Sequence, residues 1–226
     1  MNPSQNILTS WQANAQNWIA TIANEEIESR KLATNKAIID TICGYAVKKI
    51  LDVGCGEGWL TRSLVQLQMD AYGVDGVKEL VMAAIEKGGG TFFQYNYQQI
   101  AAGDTTLPVP FDAAVINFAL IDKEDTERLL CALPSLLRSG GMLFIQTLHP
   151  LGIASTSDYI SGWKEGSWTG LKRSFVLPYQ WYFRTFGDWL HLFSEAGFKL
   201  EAMKEPLHPE TKKPLSVIFV LRTDKL

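Results

Sequence analysis

The stretch KKILDVGCGEGWL, residues 48–60, sets three glycines at alternate positions, Gly54, Gly56 and Gly58, directly after a short apolar run. A strand that runs into such a turn leaves its backbone open to a ligand, and the segment after it has the pattern of a helix. Strand, turn and helix in that order predict a parallel sheet with helices packed on both faces. The rest of the chain continues the alternation. AYGVDG, TFFQYNY, FDAAVINFALI and GMLFIQTL read as the second to fifth strands. GWLTRSLVQLQ, VKELVMAAIEK and a segment from an Asp122 cap to Leu137 read as helices, the last with Leu129, Leu130, Leu133, Leu136 and Leu137 as its core stripe. Gly88–Gly90 and Ser139–Gly141 stop two of them.

Both ends depart from the alternation. Residues 11–46 read as helical, with a second helix from about Thr34 to Tyr45, and form an N-terminal helical cover over residues 1–46. At the other end, TFGDWLHLFSEAG is a helix with a Thr185/Asp188 cap and a Gly197 stop. FKLEAMKEP and PLSVIFVLRTD follow as two strands with no helix between them, so they pair antiparallel or lie apart in the sheet. Between these parts, residues 151–183 form an aromatic-rich insertion with little periodicity. The expected architecture is α/β, a Rossmann-like doubly wound sheet over residues 47–226 with the cover appended, in one structural domain.

Which ligand the turn takes is a question of spacing. A dinucleotide turn asks for G-x-G-x-x-G, and read from Gly54 and Gly56 the third position is Trp59. A nucleoside-triphosphate loop asks for Gly-Lys-Ser/Thr, which is absent. What stands is D-x-G-x-G-x-G, from Asp52 through Gly58, with Asp75 at the end of the second strand. A carboxylate there can accept both hydroxyls of a ribose, while Asp52 repels a phosphate. A ribose carrying a cationic amino-acid end suits both.

These residues, together with LLRSGGMLFIQTLHP, RTFGDWLHLFSEAGF and the final strand pair, resemble the class I S-adenosylmethionine-dependent methyltransferases over about residues 48–226. The resemblance implies a seven-stranded sheet with an antiparallel last strand and S-adenosylmethionine across the strand ends. It implies that Asp52, Gly54, Gly56 and Gly58 form the turn at the methionine portion, and that Asp75 holds the ribose with Gly76 and Val77 beside the adenine. Asn96 with Tyr97 falls where the family commonly carries an aspartate for the adenine amino group, and an Asn carbonyl can still accept there. Asn117 and Phe118 match the approach to the methionine amine. Arg30, on the cover, is placed to meet the cofactor carboxylate or else is a solvated helix charge.

Methyl transfer from a sulfonium is an in-line displacement that rests on alignment and water exclusion. A base is needed only if the acceptor must lose a proton. Of the three histidines, His149 follows the fifth strand and is the candidate base, its alternative being a brace for the turn before Pro150. Tyr159, Trp163, Trp168, Trp181 and Tyr182 either roof an organic acceptor or form the underside of an ordinary lid, and Arg184 either reads a carboxylate or pairs on the surface.

The reading is methyl transfer to a small acceptor. An RNA- or protein-directed methyltransferase and a non-catalytic S-adenosylmethionine-binding regulator are the alternatives. A net charge of −3 over 226 residues disfavours a nucleic-acid partner. Cys43, Cys55 and Cys131 are too scattered for a disulfide framework or a metal site, and no apolar run spans a membrane, so a cytoplasmic protein is expected.

Overall fold

The computed structural model describes residues 3–154 and 158–224. The N-terminal segment is helix α1 (Pro3–Ala23), a break at Glu25 with φ of 50°, one π-helical turn (Arg30–Thr34) and helix α2 (Asn35–Cys43). The first helix thus begins before the residue 11 that periodicity suggests, and it ends before Ile27. Pro3 supplies the reason: its fixed φ and missing N–H suit the first position of a helix.

The sheet then alternates β1 (Lys49–Val53), α3 (Trp59–Gln66), β2 (Asp70–Asp75), α4 (Lys78–Lys87), β3 (Thr91–Gln94), α5 (Tyr97–Ala102), β4 (Phe111–Asn117), α6 (Glu124–Leu136) and β5 (Leu137–Thr147). After the short α7 (Pro150–Ala154), strands β6 (Gly162–Lys164) and β7 (Trp181–Phe183) form a separate antiparallel ribbon. Helix α8 (Phe186–Glu195) returns the chain to the main sheet, which closes with β8 (Phe198–Lys204) and β9 (Val217–Thr223).

The seven strands lie in the order β3-β2-β1-β4-β5-β9-β8. Strands β1 to β5 pair in parallel, and β9 runs antiparallel to both β5 and β8. The antiparallel last strand and the paired ending are both as expected. Strand β4 explains the double layer. Ala113 and Val115 face Ile38 and Ile42 of α2 and Leu60 and Leu64 of α3, while Ala114 and Ile116 face Leu129 and Leu133 of α6 and Phe193 of α8. A strand covered on both faces has no polar side, which is why FDAAVIN reads as a continuous apolar run. Each large side chain buried here contributes about 1.5–3 kcal/mol.

Two local expectations are corrected. The segment TFFQYNY leaves the sheet at Gln94, because Asn96 starts α5. Asn96 Oδ1 accepts the Gln99 N–H at 2.9 Å and Gln99 Oε1 accepts the Asn96 N–H at 3.0 Å, a reciprocal cap that the spacing N-x-x-Q already encodes. Leu137 belongs to β5 and pairs with Phe111, after which residues 138–141 loop out opposite Asp112 before Met142 pairs with Ala113. Arg138 closes that loop by pairing with Asp112 at 2.8 Å. Among the described residues no helix is long and apolar enough to cross a membrane.

Candidate active site

The carboxyl ends of β1, β2, β4 and β5 open into one cavity of about 1070 Å³, roofed by α1 and by residues 165–184. Small-ligand sites span about 300–1,000 Å³, so this cavity lies at the upper end of that range.

The glycine turn forms its floor. All three glycines have positive φ, 73° at Gly54, 57° at Gly56 and 82° at Gly58, yet they serve different ends. A Cβ on Gly54 would strike Ala119 Cβ at 2.5 Å and Tyr97 Oη at 2.9 Å, so this glycine lets β4 and α5 close on the turn. A Cβ on Gly56 would meet only Trp18 Nε1, at 3.7 Å, and would otherwise project into the cavity. Gly58 turns the other way, onto the Phe92 ring, and does not reach the cavity.

Asp75 braces the turn from β2. Its Oδ2 accepts the Gly56 N–H at 2.9 Å and its Oδ1 accepts the Val77 N–H at 2.8 Å. Burial raises its carboxyl above the usual range despite these two bonds. Each oxygen keeps a further lone pair toward the cavity, where Gly76 and Val77 also lie. Asp52 is the surprise. It is buried beneath the turn, accepts from Thr61 Oγ1 at 2.7 Å and does not line the cavity. Desolvation raises its carboxyl from 3.8 to about 7, which weakens the fixed negative charge that the sequence suggests there.

Asn96, Tyr97, Asn117 and Phe118 come together on the far wall. Asn96 Oδ1 is engaged in the α5 cap, which leaves its amide nitrogen as the group free to face a ligand. Tyr97 donates its hydroxyl to the Ala119 carbonyl at 3.0 Å. Phe118 sits at φ 55°, a left-handed conformation that is unfavourable for a bulky side chain. Asn117 Oδ1 is buried without a hydrogen-bond partner among the described residues. A buried acceptor left bare costs about 1–3 kcal/mol, so this oxygen is open to a donor.

Three further groups line the cavity: Arg30, expected there, and Glu57 and Asp122, which no motif marked as ligand groups. Glu57, at 1% exposure, lines the cavity beside Trp59. Arg30 reaches in from the π-helical turn, its guanidinium 4.5 Å from the Trp59 ring centre and its Nε donating to Asn35 Oδ1 at 3.1 Å. Desolvation lowers it to about 10, and nearby Glu57 opposes that shift. Asp122, expected only as a cap, accepts the Asp125 N–H at 2.7 Å and the Ser4 hydroxyl at 2.8 Å, and its carboxyl is also raised by burial.

The roof is a joint construction of α1 and the aromatic insertion. Trp168 Nε1 donates to Ser10 Oγ at 3.0 Å, Trp11 Nε1 donates to Tyr179 Oη at 3.1 Å, and Trp11 packs edge-on against both Trp18 and Trp168. Trp11, Trp18 and Tyr179 thereby become cavity residues that no local motif marks. Trp168, Trp181, Tyr182 and Arg184 also line the cavity. Arg184, however, donates to the carbonyls of Asp122 and Lys123 at 3.1 and 3.0 Å, so much of its hydrogen-bonding capacity goes to shaping the wall.

Three expected residues lie elsewhere. Tyr159 accepts the Phe186 N–H at the start of α8, and Trp163 packs on Tyr182 from outside the cavity. His149 is buried and outside the lining. Its Nδ1 accepts the Leu151 N–H at 3.3 Å, which leaves Nε2 to donate to Glu205 Oε1 at 2.7 Å. With both nitrogens engaged, the ring braces the turn into α7.

A model of the methyltransferase domain matches residues 23–203. The ubiquinone biosynthesis O-methyltransferase of Colwellia psychrerythraea is 33% identical over 127 residues, covering 54% of this chain and 50% of that protein. The chain spans about half the length of the curated relatives it matches. Among solved structures, an S-adenosylmethionine-dependent methyltransferase from Mesorhizobium loti superposes with a TM-score of 0.63 at 22% identity, over 83% of this chain and 96% of that one. DhpI in its SAM–HEP complex gives 0.69 at 16% identity over 97% of each chain. The sheet order, the glycine turn with Asp75, and a domain match across most of the chain lead to one assignment: this protein belongs to the methyltransferase domain family.

Proposed function

We propose that the protein transfers a methyl group from S-adenosylmethionine to a small organic acceptor. The carrying observation is the continuity of one cavity, from the Gly56–Asp75 pair to the aromatic roof of Trp168, Tyr179 and Trp181. Asp75 would hold the ribose hydroxyls, Gly76 and Val77 would flank the adenine, and the bare Asn117 oxygen would take the ammonium. Arg30, already dehydrated, would meet the carboxylate. When bound, the cofactor supplies an electrophilic methyl on sulfur. The chain's own contribution is to aim the acceptor along the carbon–sulfur axis and to limit water under the aromatic roof. An acceptor proton, where one must leave, has the Asp122 carboxylate within the same cavity, and His149 is not needed for it.

The names of the relatives support an organic acceptor of small size. Calorimetry with S-adenosylmethionine and with NADH tests the cofactor, and a screen of metabolites with the purified protein and S-adenosylmethionine tests the reaction. Binding of NADH alone would overturn the reading.

A further inference from the structure

Glu57 combines features that ordinary structural roles do not explain together. Its side chain is almost wholly buried, yet the residue borders the cavity. Its Oε2 carries two cations, Arg62 of α3 at 2.7 Å and Lys87 at the end of α4. Arg62 also donates to the Glu57 carbonyl at 2.6 Å. The other oxygen, Oε1, has no hydrogen-bond partner among the described residues. A buried carboxylate oxygen without a donor is costly, and anchoring by two helices prevents the side chain from swinging out to water.

The surroundings identify the missing donor. By the parallel register of β1 and β4, Asp52 pairs with Val115, which sets Gly54 beside Asn117, and Glu57 follows three residues on. Asn117 Oδ1 is the other bare buried acceptor on this cavity. Arg30 adds a cation close enough to Glu57 to feel its charge. Two unfilled acceptors and one cation lining the same cavity suit a zwitterion whose ammonium has three donors to give.

We propose that Glu57 reads the ammonium of the cofactor's amino-acid end, and so selects adenosyl ligands that keep that ammonium over those truncated before it. The inference rests on the reading of this cavity as the S-adenosylmethionine site. Arg62 and Lys87 are then positioning residues that hold Oε1 on the cavity side.

The test is binding by calorimetry, with three probes and no acceptor. S-adenosylhomocysteine carries both ammonium and carboxylate, S-adenosyl-3-thiopropylamine carries the ammonium alone, and 5′-methylthioadenosine carries neither. The wild-type protein is expected to bind the amine at least about 10-fold more tightly than methylthioadenosine, the order of one charge-assisted hydrogen bond. In Glu57→Gln that gap is expected to close while methylthioadenosine affinity changes less than about twofold, and Glu57→Asp should restore part of it. Equal binding of the amine and methylthioadenosine by the wild type overturns the inference, even if the variants do not fold. A parallel loss of all three probes in Glu57→Gln overturns it too, because that is the mark of a collapsed turn. Failure of the wild type to bind S-adenosylhomocysteine at all would instead remove the cofactor reading on which the inference stands.

Discussion

Asn14 of α1 holds both backbone groups of Val176 at once: its Nδ2 donates to the Val176 carbonyl at 2.6 Å, and its Oδ1 accepts the Val176 N–H at 2.8 Å. The side chain imitates a strand edge and pins the aromatic insertion to the N-terminal helix. Asn17 and Glu26 extend the seam to Ser174 and Arg173. The cover and the insertion are thus one lid. Asn14→Ala should leave two backbone groups of Val176 unpaired, at about 1–3 kcal/mol. Hydrogen exchange is expected to quicken in residues 165–179 and to stay unchanged in β4 and β5. Unchanged exchange in the insertion would show that the seam carries no weight.

Asp75 has two duties, bracing Gly56 and Val77 and facing the cavity. Asp75→Asn keeps an acceptor but loses the charge. S-adenosylhomocysteine affinity should fall about 10- to 100-fold, the range for one or two charged hydrogen bonds. Thermal unfolding measured alongside separates this loss from a general weakening of the turn.

Asp52 sets a pH dependence whose sign follows from burial. Its carboxyl is near 3.8 in an unfolded chain and about 7 when folded. Between those values the folded protein keeps a proton that the unfolded chain has lost, so stability from this group is complete below pH 3.8 and drains away as the pH rises to about 7. Asp52→Asn cannot ionise. The stability of the wild type relative to this variant, by denaturant titration, should therefore decline across that window and level off above it. A difference that stays flat with pH would refute the buried, protonated state.

His149 provides the complementary case of a buried residue outside the cavity lining whose ring nitrogens are both engaged. His149→Ala removes the bond to Glu205 and the edge contact with Phe186, whose ring centre lies 5.3 Å away. The melting temperature is expected to drop, while S-adenosylhomocysteine affinity stays within about twofold of wild type; a change in affinity matching that of Asp75→Asn would bring the imidazole back toward the site.

Gly58→Ala should be damaging without touching the cavity. A Cβ at φ 82° would lie 2.7 Å from the Phe92 ring, inside any real contact distance. A loss of about 1–3 kcal/mol is expected from strain of this kind, read as a lower unfolding midpoint. Stability equal to wild type would mean that Phe92 can move aside.

The residues themselves determined whatever depends on near neighbours. A glycine at every second position dictates a tight turn, an apolar run without alternation dictates a strand covered on both faces, and two strands in succession leave only an antiparallel pair or separate places in the sheet. Asp75 could be placed against the turn because a βα unit fixes the distance between successive strand ends. Tertiary structure decided what depends on partners far along the chain. Only the folded molecule brings Asn14 to Val176, sets Glu57 between Arg62 and Lys87, and commits His149 to Glu205. It also buries Asp52 deeply enough to raise its carboxyl from 3.8 to about 7. The reason is the same in each case. Turn geometry and periodicity act over a few residues, whereas desolvation and the pairing of polar groups are set by whichever side chains packing brings into the same few ångströms.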